Sequence, residues 1–132
     1  MIYLDTSVVL AQLLAEDVLP PSSFWSKGPL VASRLLQYEV WNRIHAMGLA
    51  ESHGDDVHEL LAGLAFLELA PRVLVRALEP FPVQVRTLDA LHLASIEFLR
   101  AQGQHPNLAT FDRRLAEAAA ALDIPLADLE NG

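Results

Sequence analysis

Ile2-Tyr3-Leu4-Asp5-Thr6-Ser7-Val8-Val9-Leu10 is the stretch that decides the fold. Three apolar residues suit a short buried strand. The acid and hydroxyls behind them are helix-start chemistry, because a side-chain oxygen can accept from the unpartnered N–H groups of a first turn. We therefore read a strand over 2–4 and a helix over about 7–15, with Thr6 or Ser7 as its cap. The same design returns at Leu108-Ala109-Thr110-Phe111-Asp112, a strand over 108–111 followed by a helix over 112–122.

The segments between them fit one pattern. Pro20-Pro21-Ser22-Ser23 breaks the chain, 30–32 reads as a strand, and Ser33 caps a helix that runs to about Met47 and stops near Gly48. A helix over 55–64, a strand over 66–69 and a helix over 72–78 with Pro71 in its first turn come next. Thr87 opens a helix to about Gln102, ended at Gly103, and 124–126 is a short last strand. Strands separated by helices of this length predict an α/β domain, a parallel sheet with helices on both faces. Ligands of such sheets bind at the carboxyl ends of the strands, beside the helix N-termini.

A chain of 132 residues with no repeat or linker is one domain's worth. Its 52% apolar content is rich for a soluble domain and hints at a face covered by another chain. The absence of cysteine removes disulfides, thiolate metal sites and cysteine nucleophiles together. The N-terminus meets a carboxylate at Asp5 with no basic segment before it, which is not a signal peptide. No apolar run approaches the ~20 residues that span a bilayer. The expectation is a cytoplasmic protein with no membrane span. A net charge of −8 argues against broad duplex binding, which needs a cationic footprint. It leaves room for chemistry on a phosphodiester, since two divalent ions would halve it.

Four acids are candidates for that chemistry. Asp5 and Asp112 each follow a strand directly, where the plainer reading is a capping acid at the positive end of a helix. Asp89 opens a helix whose Leu88, Ala90, Leu91, Leu93, Ala94 and Ile96 point in all directions, so the helix is expected to be buried. An Asp there is costly unless something positive pairs with it; the plainer reading is a first-turn dipole contact with Thr87 as cap. His92, three residues on, reads as a hydrogen-bonded core histidine before a ligand. Glu39 lies at the edge of an apolar stripe made by Leu36, Val40 and Ile44, and Arg43 stands four residues on as a ready surface partner.

Brought together, such acids must either raise their pKa values or bind cations. At an effective dielectric near 20, two bare charges 4 Å apart repel by ~4 kcal/mol. Oxygen-only ligation without cysteine suits Mg²⁺ or Mn²⁺, which keep waters and accept a substrate phosphate.

The blocks "LDTSVVL" at 4–10, "YEVWNR" at 38–43, "RTLDALHLA" at 86–94 and "ATFDRRLAEAA" at 109–119 resemble the acidic blocks of PIN domains, most of all the VapC-type toxins of toxin–antitoxin pairs. The resemblance covers nearly the whole chain. It implies a single PIN domain over 1–132, a three-layer fold with a central parallel sheet flanked by helices. It further implies Mg²⁺- or Mn²⁺-dependent endonucleolytic cleavage of RNA, a homodimer, and neutralisation by a VapB-type antitoxin. Carried over by position, Asp5, Glu39 and Asp89 would be metal ligands and Asp112 the fourth acid, with Thr6 or Ser7, and Thr110, holding acids and waters in place.

Arg86, Arg113 and Arg114 adjoin the third and fourth acids and are the candidates for holding phosphate. Nine basic residues cannot track a long duplex, so the expected substrate is single-stranded or looped RNA. Phe24, Trp25 and Trp41 are candidate anchors of a partner groove in the N-terminal half. A phosphoacceptor or haloacid-dehalogenase-type domain fits poorly, because Lys27 is the sole lysine and Ser7 stands where the phosphatase pattern wants a second Asp. A non-catalytic interaction module and a housekeeping RNA-processing PIN nuclease are the remaining alternatives.

Overall fold

A computed structural model describes residues 1–130. Four strands, β1 (Ile2–Leu4), β2 (Leu30–Ser33), β3 (Ala65–Leu67) and β4 (Asn107–Ala109), form one sheet in the order β3-β2-β1-β4. All three pairings are parallel; Ile2 lies opposite Leu30 on one side and Asn107 on the other. Six helices connect and cover them: α1 (Thr6–Leu14), α2 (Arg34–Ala46), α3 (Ala50–Ala62), α4 (Pro71–Leu78), α5 (Thr87–Ala101) and α6 (Arg113–Ala121).

Strand parity sorts the core into two halves, since successive side chains leave a strand on opposite faces. Ile2, Leu4, Leu30 and Ala32 pack with Val8 and Val9 of α1, Leu36, Val40 and Ile44 of α2, and Val57 and Leu61 of α3. Tyr3, Val31 and Leu108 pack on the other face with Leu93, Ile96 and Leu99 of α5 and Leu115, Ala118 and Ala119 of α6. The result is the expected three-layer α/β arrangement. Leu4 is fully buried at its centre, and cutting it to Ala would cost ~2–5 kcal/mol.

Local chemistry departs from the sequence reading in several places. The cap of α1 is Asp5, not Thr6 or Ser7: its carboxylate accepts from the Ser7 N–H at 3.4 Å while Thr6 is already helical. α2 starts as expected, Ser33 Oγ accepting from the Leu35 N–H at 3.1 Å. α3 begins at Ala50 and not at 55, because Gly54 is absorbed into the helix beneath the Trp41 ring, 3.9 Å from where a Cβ would stand. β3 starts one residue earlier than expected, at Ala65, and ends two earlier, at Leu67, and β4 ends at Ala109, which frees Thr110 and Phe111 for the loop. The residue before α5 is Arg86, with no side-chain cap, so Thr87 is not the cap. The expected last strand reduces to a bridge between Leu108 and Leu126. The proline break carries a short 3₁₀ turn at Ser22–Ser26. Among the described residues no helix is long and apolar enough to cross a membrane.

Phe24 is buried in the core and so is not a groove anchor. Trp25 is half-buried, bonded through Nε1 to Gln12 at 3.1 Å, and lines a cavity of about 340 Å³ with Leu30, Leu60 and Leu64. Trp41 packs within the chain, with ring centroids 5.6 Å from His45 and 4.9 Å from His58.

Candidate active site

Parallel pairing places the ends of β1 and β4 side by side, with Leu4 opposite Ala109. Asp5 and Asp112 therefore leave the sheet at one edge, each as the cap of the helix that follows. Asp89 arrives in the first turn of α5 and Glu39 from the middle of α2. Asp5, Glu39, Asp89 and Asp112 all face one cavity of about 420 Å³, together with Thr6, Ser7 and Arg86.

A set of hydroxyls ties the first and last acids together. Ser7 Oγ donates to Asp5 Oδ2 at 2.6 Å and Thr110 Oγ1 donates to the same oxygen at 2.8 Å. Those two hydroxyls in turn accept from the backbone N–H groups of Phe111 and Asp112, each at 2.9 Å. Buried Asp5 is thus held from one side through Oδ2, while Oδ1 takes none of these bonds. Asp112 Oδ1 accepts from the N–H groups of Arg114 and Leu115 at 2.9 and 3.3 Å, which leaves Oδ2 for other partners. The capping bonds and the bond to Arg86 fall on different oxygens of one carboxylate.

Glu39 does not pair with Arg43. It turns inward, and Oε1 accepts from Thr6 Oγ1 at 2.8 Å and lies 2.8 Å from His92 Nε2. His92 is buried, with Nδ1 2.8 Å from the Tyr3 hydroxyl and Nε2 4.0 Å from Asp5 Oδ1. Burial alone would lower its pKa; the Glu39 hydrogen bond and the charges of Asp5, Glu39 and Asp89 outweigh it and hold it above the ordinary value. Burial first, and the charge of Asp112 second, push Asp89 above the usual carboxylate range, against the opposing pull of Arg86.

Among the described residues that line this cavity, Arg86 is the one arginine or lysine. Its Nε lies 3.3 Å from Asp89 Oδ2 and its Nη2 3.3 Å from Asp112 Oδ2. Arg114 lies beyond it, lining a neighbouring cavity of about 480 Å³ with Arg86, Asp89 and Glu117. Arg113 is exposed and lines neither cavity.

Among the described residues, no three acids or histidines stand as they are in position to share a metal ion. The donor chemistry nonetheless fits a hard divalent cation: oxygen ligands only, hydroxyls that pre-orient Asp5, and an Asp89 carboxyl that burial first, and the charge of Asp112 second, push upward. Arg86 holds Asp89 and Asp112 by long bonds from a side chain that is 61% exposed, so it can leave when a stronger cation arrives.

The four acids singled out in the sequence come to one cavity, but two links are absent from the sequence reading. One is the reach of Arg86 to Asp112, which only the folded topology creates. The other is Tyr3, whose sole signal was its parity in the first strand, opposite to Ile2 and Leu4.

Comparison with known proteins bears on the family and the fold. The PIN domain family model matches residues 2–121. Ribonuclease VapC46 of Mycobacterium tuberculosis is 33% identical over 126 residues, covering 92% of each chain. The crystal structure of Mycobacterium tuberculosis VapC20, a toxin that cleaves the sarcin-ricin loop, matches with a TM-score of 0.65 over 89% of this chain and 95% of that one. At 18% identity that match is a likeness of fold.

Proposed function

This chain belongs to the PIN domain family, and from that premise we propose that it is a Mg²⁺- or Mn²⁺-dependent endoribonuclease acting in the cytoplasm as the toxin of a toxin–antitoxin pair. The observation that carries the reading is the single cavity onto which Asp5, Glu39, Asp89 and Asp112 open from four separate segments. The naming of its relative VapC46 as a ribonuclease supports the substrate class.

Asp5, Glu39, Asp89 and Asp112 would hold the cation. When bound, a divalent ion there lowers the pKa of a water and neutralises phosphate oxygens, which suits hydrolysis of a phosphodiester. The chain's own residues prepare for this. Ser7 and Thr110 fix Asp5, and Thr6 fixes Glu39, so these carboxylates lose little freedom on taking a ligand. Arg86, once released from Asp89 and Asp112, would meet a backbone phosphate, a reading supported by its position in the lining of both cavities, with Arg114 in the second. Arg113, outside both cavities, is a weaker candidate for that role. With so few cations the substrate is single-stranded or looped RNA gripped at a few phosphates.

A homodimer and a VapB-type antitoxin complete the proposal. The cavity beside Trp25 carries Asp56 and Glu59 on its rim, which suits a basic amphipathic helix. The test is cleavage of an unstructured RNA by the purified chain with Mg²⁺ or Mn²⁺. Full activity in EDTA, or in Asp89→Asn, would falsify the metal mechanism.

A further inference from the structure

Three polar side chains form a line from the sheet into the acidic cavity. The hydroxyl of Tyr3, on the central strand, meets Nδ1 of His92 on α5, and Nε2 of His92 meets Oε1 of Glu39 on α2. The line thereby joins a helix on one face of the sheet to a helix on the other. Tyr3 is fully buried and His92 is 1% exposed.

The hydrogen on Nε2 follows from the partner. A carboxylate only accepts, so Nε2 donates to Glu39 whether the ring is neutral or protonated. A neutral ring leaves Nδ1 to accept from the Tyr3 hydroxyl; a protonated ring donates to the Tyr3 oxygen instead. In both states Tyr3 holds the ring from behind, and the T-shaped approach of the two rings, with centroids 6.0 Å apart, fixes its plane. Thr6 Oγ1 donates to the same Oε1. Two donors converge on one oxygen of Glu39, and Oε2 is left for a ligand in the cavity.

We propose that His92, backed by Tyr3, is a positioning residue for Glu39, holding its carboxylate so that the second oxygen meets a divalent cation without reorganisation. This rests on the metal-dependent reading above. A histidine kept only for packing would need no donor at Nε2, and an apolar side chain would serve as well. Groups that orient a ligand from behind are worth ~10–100-fold in metal affinity.

The test uses Mn²⁺ alone as the probe, titrated into the full chain without RNA and followed by the electron spin resonance of the free ion. His92→Leu should weaken Mn²⁺ binding ~10–100-fold. His92→Gln, which restores an N–H donor, should recover most of that loss, and Tyr3→Phe should fall between. Under saturating Mn²⁺, His92→Leu should lower kcat and leave KM for RNA nearly unchanged. In the metal-free protein the ¹⁵N spectrum should show a protonated Nε2 on His92 whose shift moves in Glu39→Gln. Wild-type affinity in His92→Leu, or equal losses in the Gln and Leu variants, overturns the proposal. If His92→Leu does not fold, a bare Nε2 in the metal-free protein overturns it alone. A wild-type chain with a protonated Nε2 that binds no Mn²⁺ overturns the metal reading, and the proposal with it.

Discussion

Arg86 Nη2 lies 3.3 Å from Asp112 Oδ2, a contact that bridges 26 positions of the chain and joins the start of α5 to the cap of α6. The same guanidinium holds Asp89 through Nε, also at 3.3 Å. Arg86 thus stands between the two acids where, under the proposed mechanism, a divalent cation would bind. Its side chain is largely exposed, so each contact is weak.

Arg86 and the metal should therefore compete. Arg86→Ala should tighten Mn²⁺ binding to the RNA-free protein by several-fold, because the ion no longer displaces a guanidinium. The same variant should raise KM for RNA, since Arg86 is the cation that lines the acidic cavity and is proposed to meet a backbone phosphate. The two effects have opposite sign, which a general loss of folding could not produce. Calorimetric titration with Mn²⁺ and a cleavage assay measure them separately.

Asp89 should trade stability against activity. Burial and Asp112 push its pKa up, so the ionised form is disfavoured where it sits. Asp89→Asn should abolish cleavage while leaving the metal-free melting temperature equal to or above that of the wild type. Added Mn²⁺ at a hundredfold excess over its Kd would stabilise the wild type by about 2.7 kcal/mol through mass action and the variant far less. A variant that melts well below the metal-free wild type would show that Asp89 is a structural anchor instead.

Glu39 offers a cleaner contrast because the structure separates it from Arg43. Its carboxylate faces Thr6 and His92, inside the cavity that holds Asp5. Glu39→Gln should reduce the cleavage rate by orders of magnitude, and Arg43→Ala should leave it nearly unchanged. Comparable rates for the two variants would return Glu39 to the status of a surface acid.

The case of Glu39 also marks how far the sequence could be read. The i,i+4 spacing to Arg43 is a real local preference of a few tenths of a kcal/mol, and it loses to a pair of charge-assisted bonds from side chains 33 and 53 positions away. No local pattern can announce such partners. Asp5 and Asp112 were legible because strand-then-acid is a short-range signal, and the parallel pairing of β1 with β4 does the rest. Element boundaries slipped where a residue has two uses. Gly54 breaks helices in isolation but here makes room under Trp41, and Thr110 looks like strand but serves as a donor to Asp5. Phe24 was misplaced for a similar reason: an aromatic beside prolines can anchor a partner or plug a core, and only packing tells which.

The final prediction concerns the surplus of apolar residues. α4 buries Val73 but leaves Leu74, Val75 and Leu78 exposed at 42, 58 and 87%, and Val83 adds 42% in the segment that follows. Leu74, Leu78 and Val83 line a groove of about 690 Å³ whose lining carries a single charged side chain, Glu79. A contiguous apolar surface depleted of charge is the composition of an interface core, and leaving it in water would be costly at ~25 cal/mol per Å². A second copy of the chain is the expected occupant, since a face nearly free of charge can meet itself without repulsion. The groove also reaches Thr87 and Ala90, which flank Asp89, so pairing here would brace the segment that carries both Arg86 and the third acid. Leu78→Glu should convert a dimer to a monomer, measured as mass in solution by light scattering at micromolar concentration. It should also loosen 79–86 enough to raise KM for RNA without altering Mn²⁺ affinity. A wild-type chain that stays monomeric and well behaved at that concentration would sink the dimer face, and a Leu78→Glu protein that remains dimeric would move it elsewhere on the surface.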